Sequence, residues 1–281
     1  MMRTLKKYFP IFVLPTLLAF LIAFLVPFIL GIGLSFTKFT TFSDAQFVGL
    51  ENYRLAFGGR SGFDKAFVFT LLVALVSVLS VNIFAFALAW LLTRKLAGTN
   101  FFRTIFFMPN LIGGIVLGYT WQVLVNAILA KYGTTIVADS SFGYWGLVSL
   151  LNWQLVGYMM VIYIAGLHSV PRELIESASL DGAGKWQTLR HVTIPMVMPA
   201  ITICLFLTLA NTFKMYDQNL ALTNGAPRSE TEMVALNIVR TMFYEVGKEG
   251  IAQAKAVIFV VIVAVIGMYQ LRVTRNREVE A

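Results

Sequence analysis

Six long apolar runs constrain this chain more than any other feature. They lie at roughly 11–36, 66–92, 101–126, 144–167, 194–213 and 252–271. About 20 residues of helix are enough to cross the hydrocarbon of a bilayer. Inside it, every backbone N–H and C=O must be bonded within the segment, which selects helices over open sheets. With 58% hydrophobic and only 13% charged residues, the chain has too little polar surface to cover a soluble core, so lipid covers part of it. The expected fold is an all-α membrane protein with six transmembrane helices, residues 1–281 forming one domain. The first run follows a basic segment, as in a signal peptide. It is too long for a signal h-region, however, and no small-residue cleavage site follows, so an uncleaved first span is expected.

The formal charge of +8 does not point to nucleic acid once it is placed along the chain. The termini and the even-numbered connections hold twelve basic residues, among them Arg3, Lys6, Lys7, Arg94, Lys95, Arg103, Lys185, Arg190 and Arg277. Against these stand five acids, Glu173, Glu176, Asp181, Glu278 and Glu280. The other connections are longer, hold nine acids and are nearly neutral. Short basic loops stay cytoplasmic, so both termini are expected inside.

The connection between the fourth and fifth runs, 169–195, is the informative one. Pro171 suits a helix start, and Glu173 sits favourably near the positive end of that helix dipole. Gly182 and Gly184 then end the helix or bend the chain. Trp186, Leu189 and Val192 supply a second apolar set leading to Pro195. The expectation is a short surface helix, a bend, and a second helix running into the membrane. A bulky side chain at Gly182 is expected to press against that bend through its Cβ.

These residues resemble the EAA loop of ATP-binding-cassette importer permeases. That pattern is Glu-Ala-Ala, three residues, Gly, nine residues, then Ile-x-Leu-Pro. Here it runs Glu176-Ser177-Ala178, Gly182, and Val192-Thr193-Ile194-Pro195, with Asp181-Gly182-Ala183 as in the family's sugar branch. FVGLENYRLAF (Phe47–Phe57) and FFRTIFFMPNLIGGIVLGYTW (Phe101–Trp121) resemble the carbohydrate-type members, the class of maltose, lactose and glycerol-phosphate permeases. So does Met215–Val239, whose Thr-x-Gly-Gly-Pro loop has Ala226 for its second glycine.

The resemblance implies a MetI-like importer-permease core in a bacterial cytoplasmic (inner) membrane. It also implies a coupling role for Glu176, Ser177, Ala178, Asp181, Gly182, Ala183 and Pro195 against an ATPase. The partners implied are a second permease subunit, two ATP-binding-cassette ATPase subunits carrying ATP and Mg, an extracytoplasmic solute-binding protein and membrane lipid.

No catalytic set and no metal set is evident. His168 and His191 are the two histidines, both flanking the 169–195 connection, and Cys204 is the single cysteine. No GxxxxGK[ST] phosphate loop occurs, so ATP and Mg belong to partners rather than to this chain. Polar residues inside the spans carry more information, because lipid makes them costly. Asn152, Gln154, Tyr158 and Asn211 offer the amides and aromatic faces a sugar path needs, with Asn82 and Trp153 in the wider set. For any one of them, an interhelical hydrogen bond is the competing role. Gly114 and Gly118 form a GxxxG suited to close helix packing. A self-sufficient secondary transporter or channel is the alternative class, but the inverted repeats or embedded coupling ion site it calls for are not evident. A membrane anchor leaves the glycine spacing of the loop unexplained.

Overall fold

The computed structural model describes residues 2–41, 43–59, 61–94 and 98–276. Lys95, Arg277, Glu278 and Glu280, counted among the charges at span ends, lie outside the described residues, as do the side chains of Arg3, Lys6 and Lys7. Among the described residues, six helices are long and apolar enough to cross a membrane: Val13–Leu34, Phe63–Leu92, Gly114–Tyr132, Ser140–His168, Lys185–Phe213 and Glu249–Arg275. The chain packs as two compact units. One comprises Met1–Phe63 with Ile238–Val260, the other Asp64–Asn237 with Val261–Ala281.

In the first unit, the first span presents apolar side chains almost wholly outward, and Phe20, Phe24 and Phe28 stack along it. A π-helical turn at Leu21–Leu25 precedes Pro27. Proline has no N–H to give and crowds the carbonyl four residues back, and the wider turn accommodates both effects. The segment after this span forms a small hairpin pairing Thr37 with Phe47 and Lys38 with Gln46. The Asp44 carboxylate accepts the Thr41 and Thr40 N–H groups at 2.8 and 3.0 Å. The Thr41 amide, more than that of Thr40, holds its carboxyl below the ordinary carboxylate value. Buried Asn52 donates to the carbonyls of Ser35 and Thr37 at 2.9 and 2.8 Å. Lys255, a buried cation in the sixth span, donates to the Thr241 hydroxyl at 2.8 Å and the Ser61 carbonyl at 3.2 Å.

The second unit is built around the fourth span. Asp139 caps that helix by accepting the Ser141 N–H at 2.7 Å. The Ser141 hydroxyl is the larger cause holding the Asp139 carboxyl below its usual range. Gly143, Gly146, Leu147, Leu150, Leu151, Leu155, Met159 and Tyr163 are buried along it. The expected third span, 101–126, is not one helix. Helix Thr99–Phe107 gives way to a tight turn at Met108–Leu111 and extended backbone at Ile112 and Gly113, and the helix resumes at Gly114. Pro109 is the cause, since its missing N–H and fixed φ end the first helix. A Cβ at Gly157 would fall on the Phe106 carbonyl, so the short helix lies directly against the fourth span at that glycine. The GxxxG of Gly114 and Gly118 receives helix Asp217–Leu222 rather than another span. A Cβ at Gly118 would lie 2.6 Å from that of Ala221.

Candidate functional site

The hairpin over 172–195 forms much as its residues require. Pro171 stands just outside helix Arg172–Leu180, in extended conformation. The helix ends where Asp181, Gly182 and Ala183 donate their N–H groups to the carbonyls of Ser177, Ser179 and Ala178 at 3.0, 3.1 and 2.9 Å. Gly182 makes that closure with φ of +80°, the left-handed conformation a helix-ending glycine adopts cheaply. A Cβ there would meet nothing within 4 Å. The expected steric press at the bend is therefore absent, and the demand for glycine comes from backbone angle alone. Gly184 then caps the next helix, its N–H held by the Gln187 side chain at 2.8 Å.

From Lys185 the helix runs without interruption to Phe213. A π-helical turn at Leu189–Thr193 lies immediately ahead of Pro195, repeating the device before Pro27. The second arm of the hairpin is thus structurally continuous with the fifth span. Helix Arg172–Leu180 buries none of its nine residues. Glu176, Ser177, Asp181 and Gly182 are exposed, Ala178 and Ala183 half-buried, and Pro195 half-buried in the span itself. Leu180 and Trp186 stand 88% and 70% exposed, an unusual use of large apolar residues next to charges. His191 Nδ1 donates to the Gln187 carbonyl, 3.1 Å away, and His168 is exposed.

The polar span residues are not gathered into one cavity. Asn152 donates to Ser80 Oγ at 2.9 Å and to the Val148 carbonyl at 2.8 Å, while its Oδ1 has no partner among the described residues. It borders a cavity of about 400 Å³ with Phe84, Phe106, Trp153 and Gly157. Gln154 points elsewhere and accepts from Gln218 Nε2 at 3.0 Å. Tyr158 packs its ring against Phe107, 6.4 Å between centroids. Exposed Asn211 donates to the Leu207 carbonyl of its own helix, at 2.8 Å. Asn82 has the interhelical role: it donates to Thr208 at 3.2 Å and accepts from the Tyr163 hydroxyl at 2.7 Å.

The model of the family described as "Binding-protein-dependent transport system inner membrane component" matches residues 86–277. The chain belongs to this family. The matched residues include the whole hairpin, and the chain is a multi-pass permease subunit. The permease is similar to a probable starch degradation products transport system permease protein of Thermoanaerobacterium thermosulfurigenes. Identity is 41%, over 96% of this chain and 94% of the relative. It is also similar to a multiple sugar-binding transport system permease protein of Streptococcus mutans, with 27% identity covering 99% of each. Its fold matches a chain of the bacterial alginate ABC transporter crystallised with an alginate pentasaccharide-bound periplasmic protein. That match has a TM-score of 0.81 at 21% identity, over 98% of the permease and 96% of that chain.

Two arrangements in the permease escape sequence reasoning. Gln218, the partner of Gln154, falls in what reads as an outer connection. Next to it, fully buried Asn219 donates to Thr223 Oγ1 and the Thr231 carbonyl at 3.0 and 2.8 Å and accepts the Met233 N–H at 2.9 Å. That one side chain organises the Thr223–Pro227 loop, where Gly225 takes φ of +74° ahead of Ala226. Its signal in the sequence is no stronger than that of any other loop asparagine. Among the described residues, no group of His, Cys, Asp and Glu has the arrangement of a metal site.

Proposed function

We propose that the permease is the membrane-spanning subunit of an ATP-driven sugar importer, and that the 172–195 hairpin is where ATPase subunits engage it. The observation that carries this reading is a nine-residue helix with no buried residue, joined through Gly182 to the fifth span. A helix that short is marginal without packing, so its open Leu174 and Leu180 and the neighbouring Trp186 call for a partner surface. Glu176 faces basic or backbone donors of the ATPase, and Ala178 allows close approach. The hairpin and both termini are cytoplasmic, in keeping with the basic excess, and residues 1–281 act as one permease domain. ATP and Mg bind to two ATPase subunits. A second permease subunit completes the path, and an extracytoplasmic solute-binding protein delivers the sugar. The sugar assignment is supported by the names of the starch-product and multiple-sugar relatives. Uptake of labelled maltooligosaccharide by the intact complex, competed with a sugar and amino-acid panel, tests it. Competition by sugars alone is expected, and competition by amino acids alone contradicts the reading.

Single cysteines at Gly98 and Lys185 test the sidedness. Both are expected to resist membrane-impermeant thiol reagents in intact cells and to react after lysis. Labelling from outside reverses the topology.

Within the path, the Gln154–Gln218 amide pair is proposed to meet sugar hydroxyls, together with Asn152, Tyr158 and Asn211. Removing one such hydrogen bond costs about 1–1.5 kcal/mol, roughly five- to tenfold in apparent affinity. Gln154→Ala is expected to raise the uptake KM by that factor with assembly intact. An unchanged KM in the Gln154, Asn152, Tyr158 and Asn211 alanine variants places the path on other residues.

A further inference from the structure

Where the second span ends, a cavity of about 470 Å³ opens between it and the inner side of the hairpin. Trp90 and Arg94 form one wall; Ile175, Lys185, Thr188 and Leu189 contribute to the other. The Arg94 guanidinium lies over the Trp90 ring, 4.3 Å from its centroid, a stacking that holds the cation in place and leaves its N–H edge available. Arg103 approaches the same span end, donating to the Leu92 carbonyl at 3.4 Å, and among the described residues its buried Nε has no hydrogen-bond partner. Among the described residues, no carboxylate lines the cavity. Among the described residues, none of Arg94, Arg103 and Lys185 is in an ion pair.

Arg94 and Lys185 share the pocket lining; like charges so placed repel one another, and their field attracts an anion. The location identifies which anion. Leu92 is the last residue of the second span and Lys185 the first of the fifth, so the cavity sits where hydrocarbon gives way to headgroups. Its walls are mixed, cationic at Arg94 and Lys185, hydroxyl-bearing at Thr188, and apolar at Trp90, Ile175 and Leu189. A free phosphate would satisfy the cations and leave the apolar wall wet. A phospholipid satisfies both, with its phosphodiester on the cations and its glycerol and first methylenes on the apolar wall. We propose that this pocket binds the phosphodiester headgroup of an anionic membrane lipid and so anchors the inner side of the hairpin at the membrane surface. Ile175 and Ser179, one helical turn apart, face this pocket, leaving Glu176 and Leu180 on the adjoining stripe for a protein partner. Lipid binding here stands on the cavity and its charges, and it can fail without the coupling reading failing.

Native mass spectrometry of the full chain, equilibrated with phosphatidylglycerol or phosphatidylcholine in mixed micelles, tests the site. Two cations at roughly fivefold each predict phosphatidylglycerol retention on the order of thirtyfold above phosphatidylcholine. Arg94→Gln with Lys185→Gln is expected to erase that preference, whereas Lys185→Arg keeps it and Lys131→Gln, remote in sequence, leaves it unchanged. Equal retention of the two lipids overturns the proposal. So does a preference that survives the double substitution. Displacement of the lipid by millimolar inorganic phosphate also counts against it, as it marks a soluble-anion site. Loss of the lipid from the complex with its ATPase subunits, but not from the chain alone, overturns it in favour of an acidic protein partner.

Discussion

Glu176→Lys combined with Gly182→Leu is expected to leave the permease in the membrane and to abolish ATP-driven uptake. The fold tolerates both changes for identifiable reasons. Glu176 is exposed and makes no ion pair among the described residues, and a Cβ at Gly182 meets nothing within 4 Å. The cost inside the chain is confined to the left-handed backbone at Gly182, about 1–2 kcal/mol for a residue with a Cβ. The cost at the partner is larger. A charge reversal at a docked, desolvated pair loses about 2–5 kcal/mol, which weakens ATPase binding at least thirtyfold. A leucine at the bend adds volume on the side that faces away from the chain. Membrane abundance at wild-type level, with uptake below about a tenth of wild type and the ATPase lost or uncoupled, is the expected pattern. Wild-type uptake in the double variant reduces the hairpin to an ordinary surface helix.

The second large effect is expected at Gly157, where function is lost through folding. Its α-carbon lies so close to the Phe106 carbonyl that any side chain occupies the position of that oxygen. The Phe107 nitrogen is also only 2.7 Å from the added atom, and backbone cannot rotate away as a side chain can. Gly157→Leu must therefore push helix Thr99–Phe107 off the fourth span and open the buried core behind it. Overpacking of this kind costs about 1–3 kcal/mol or more, or several degrees in Tm at roughly 2–4 °C per kcal/mol. Reduced membrane abundance and a lowered Tm are expected, with Gly157→Ala affected in the same direction. Gly113→Ala is the matched control, since nothing lies within 4 Å of its Cβ position. Equal stability of the Gly113 and Gly157 variants contradicts the packing described.

The six spans were legible because hydrocarbon allows so few solutions: an apolar run of sufficient length must be helical whatever surrounds it. The hairpin was legible through its glycine spacing and its proline. Its demand on Gly182 was misjudged, because a sequence shows the residue but not the direction in which its Cβ would point. The break in the third run was hidden by continuity of apolar residues across Pro109, although proline alone carries the reason to stop. Lys255 offered the clearest unused signal, a lone cation within an apolar run, where burial requires hydrogen-bond acceptors such as Thr241 and Ser61. The path residues stayed ambiguous for a geometric reason. Polarity within a span says that a partner exists, while the partners of Asn82, Asn152 and Gln154 lie 126, 72 and 64 residues away in the chain. Gln154 and Asn152 sit two positions apart and so face different sides of one helix.

The measurement that bears most directly on the account is site-specific photo-crosslinking from Leu180, the most exposed apolar residue of the hairpin helix. A benzophenone amino acid at this position, in the permease expressed with its ATPase and partner permease subunits, is expected to crosslink to the ATPase. The yield is expected to change when ATP is trapped at the ATPase sites, because a ligand drives a conformational change only through contacts that differ between the two states. Crosslinks to lipid or to the permease itself, with none to an ATPase in any nucleotide state, would contradict the coupling role.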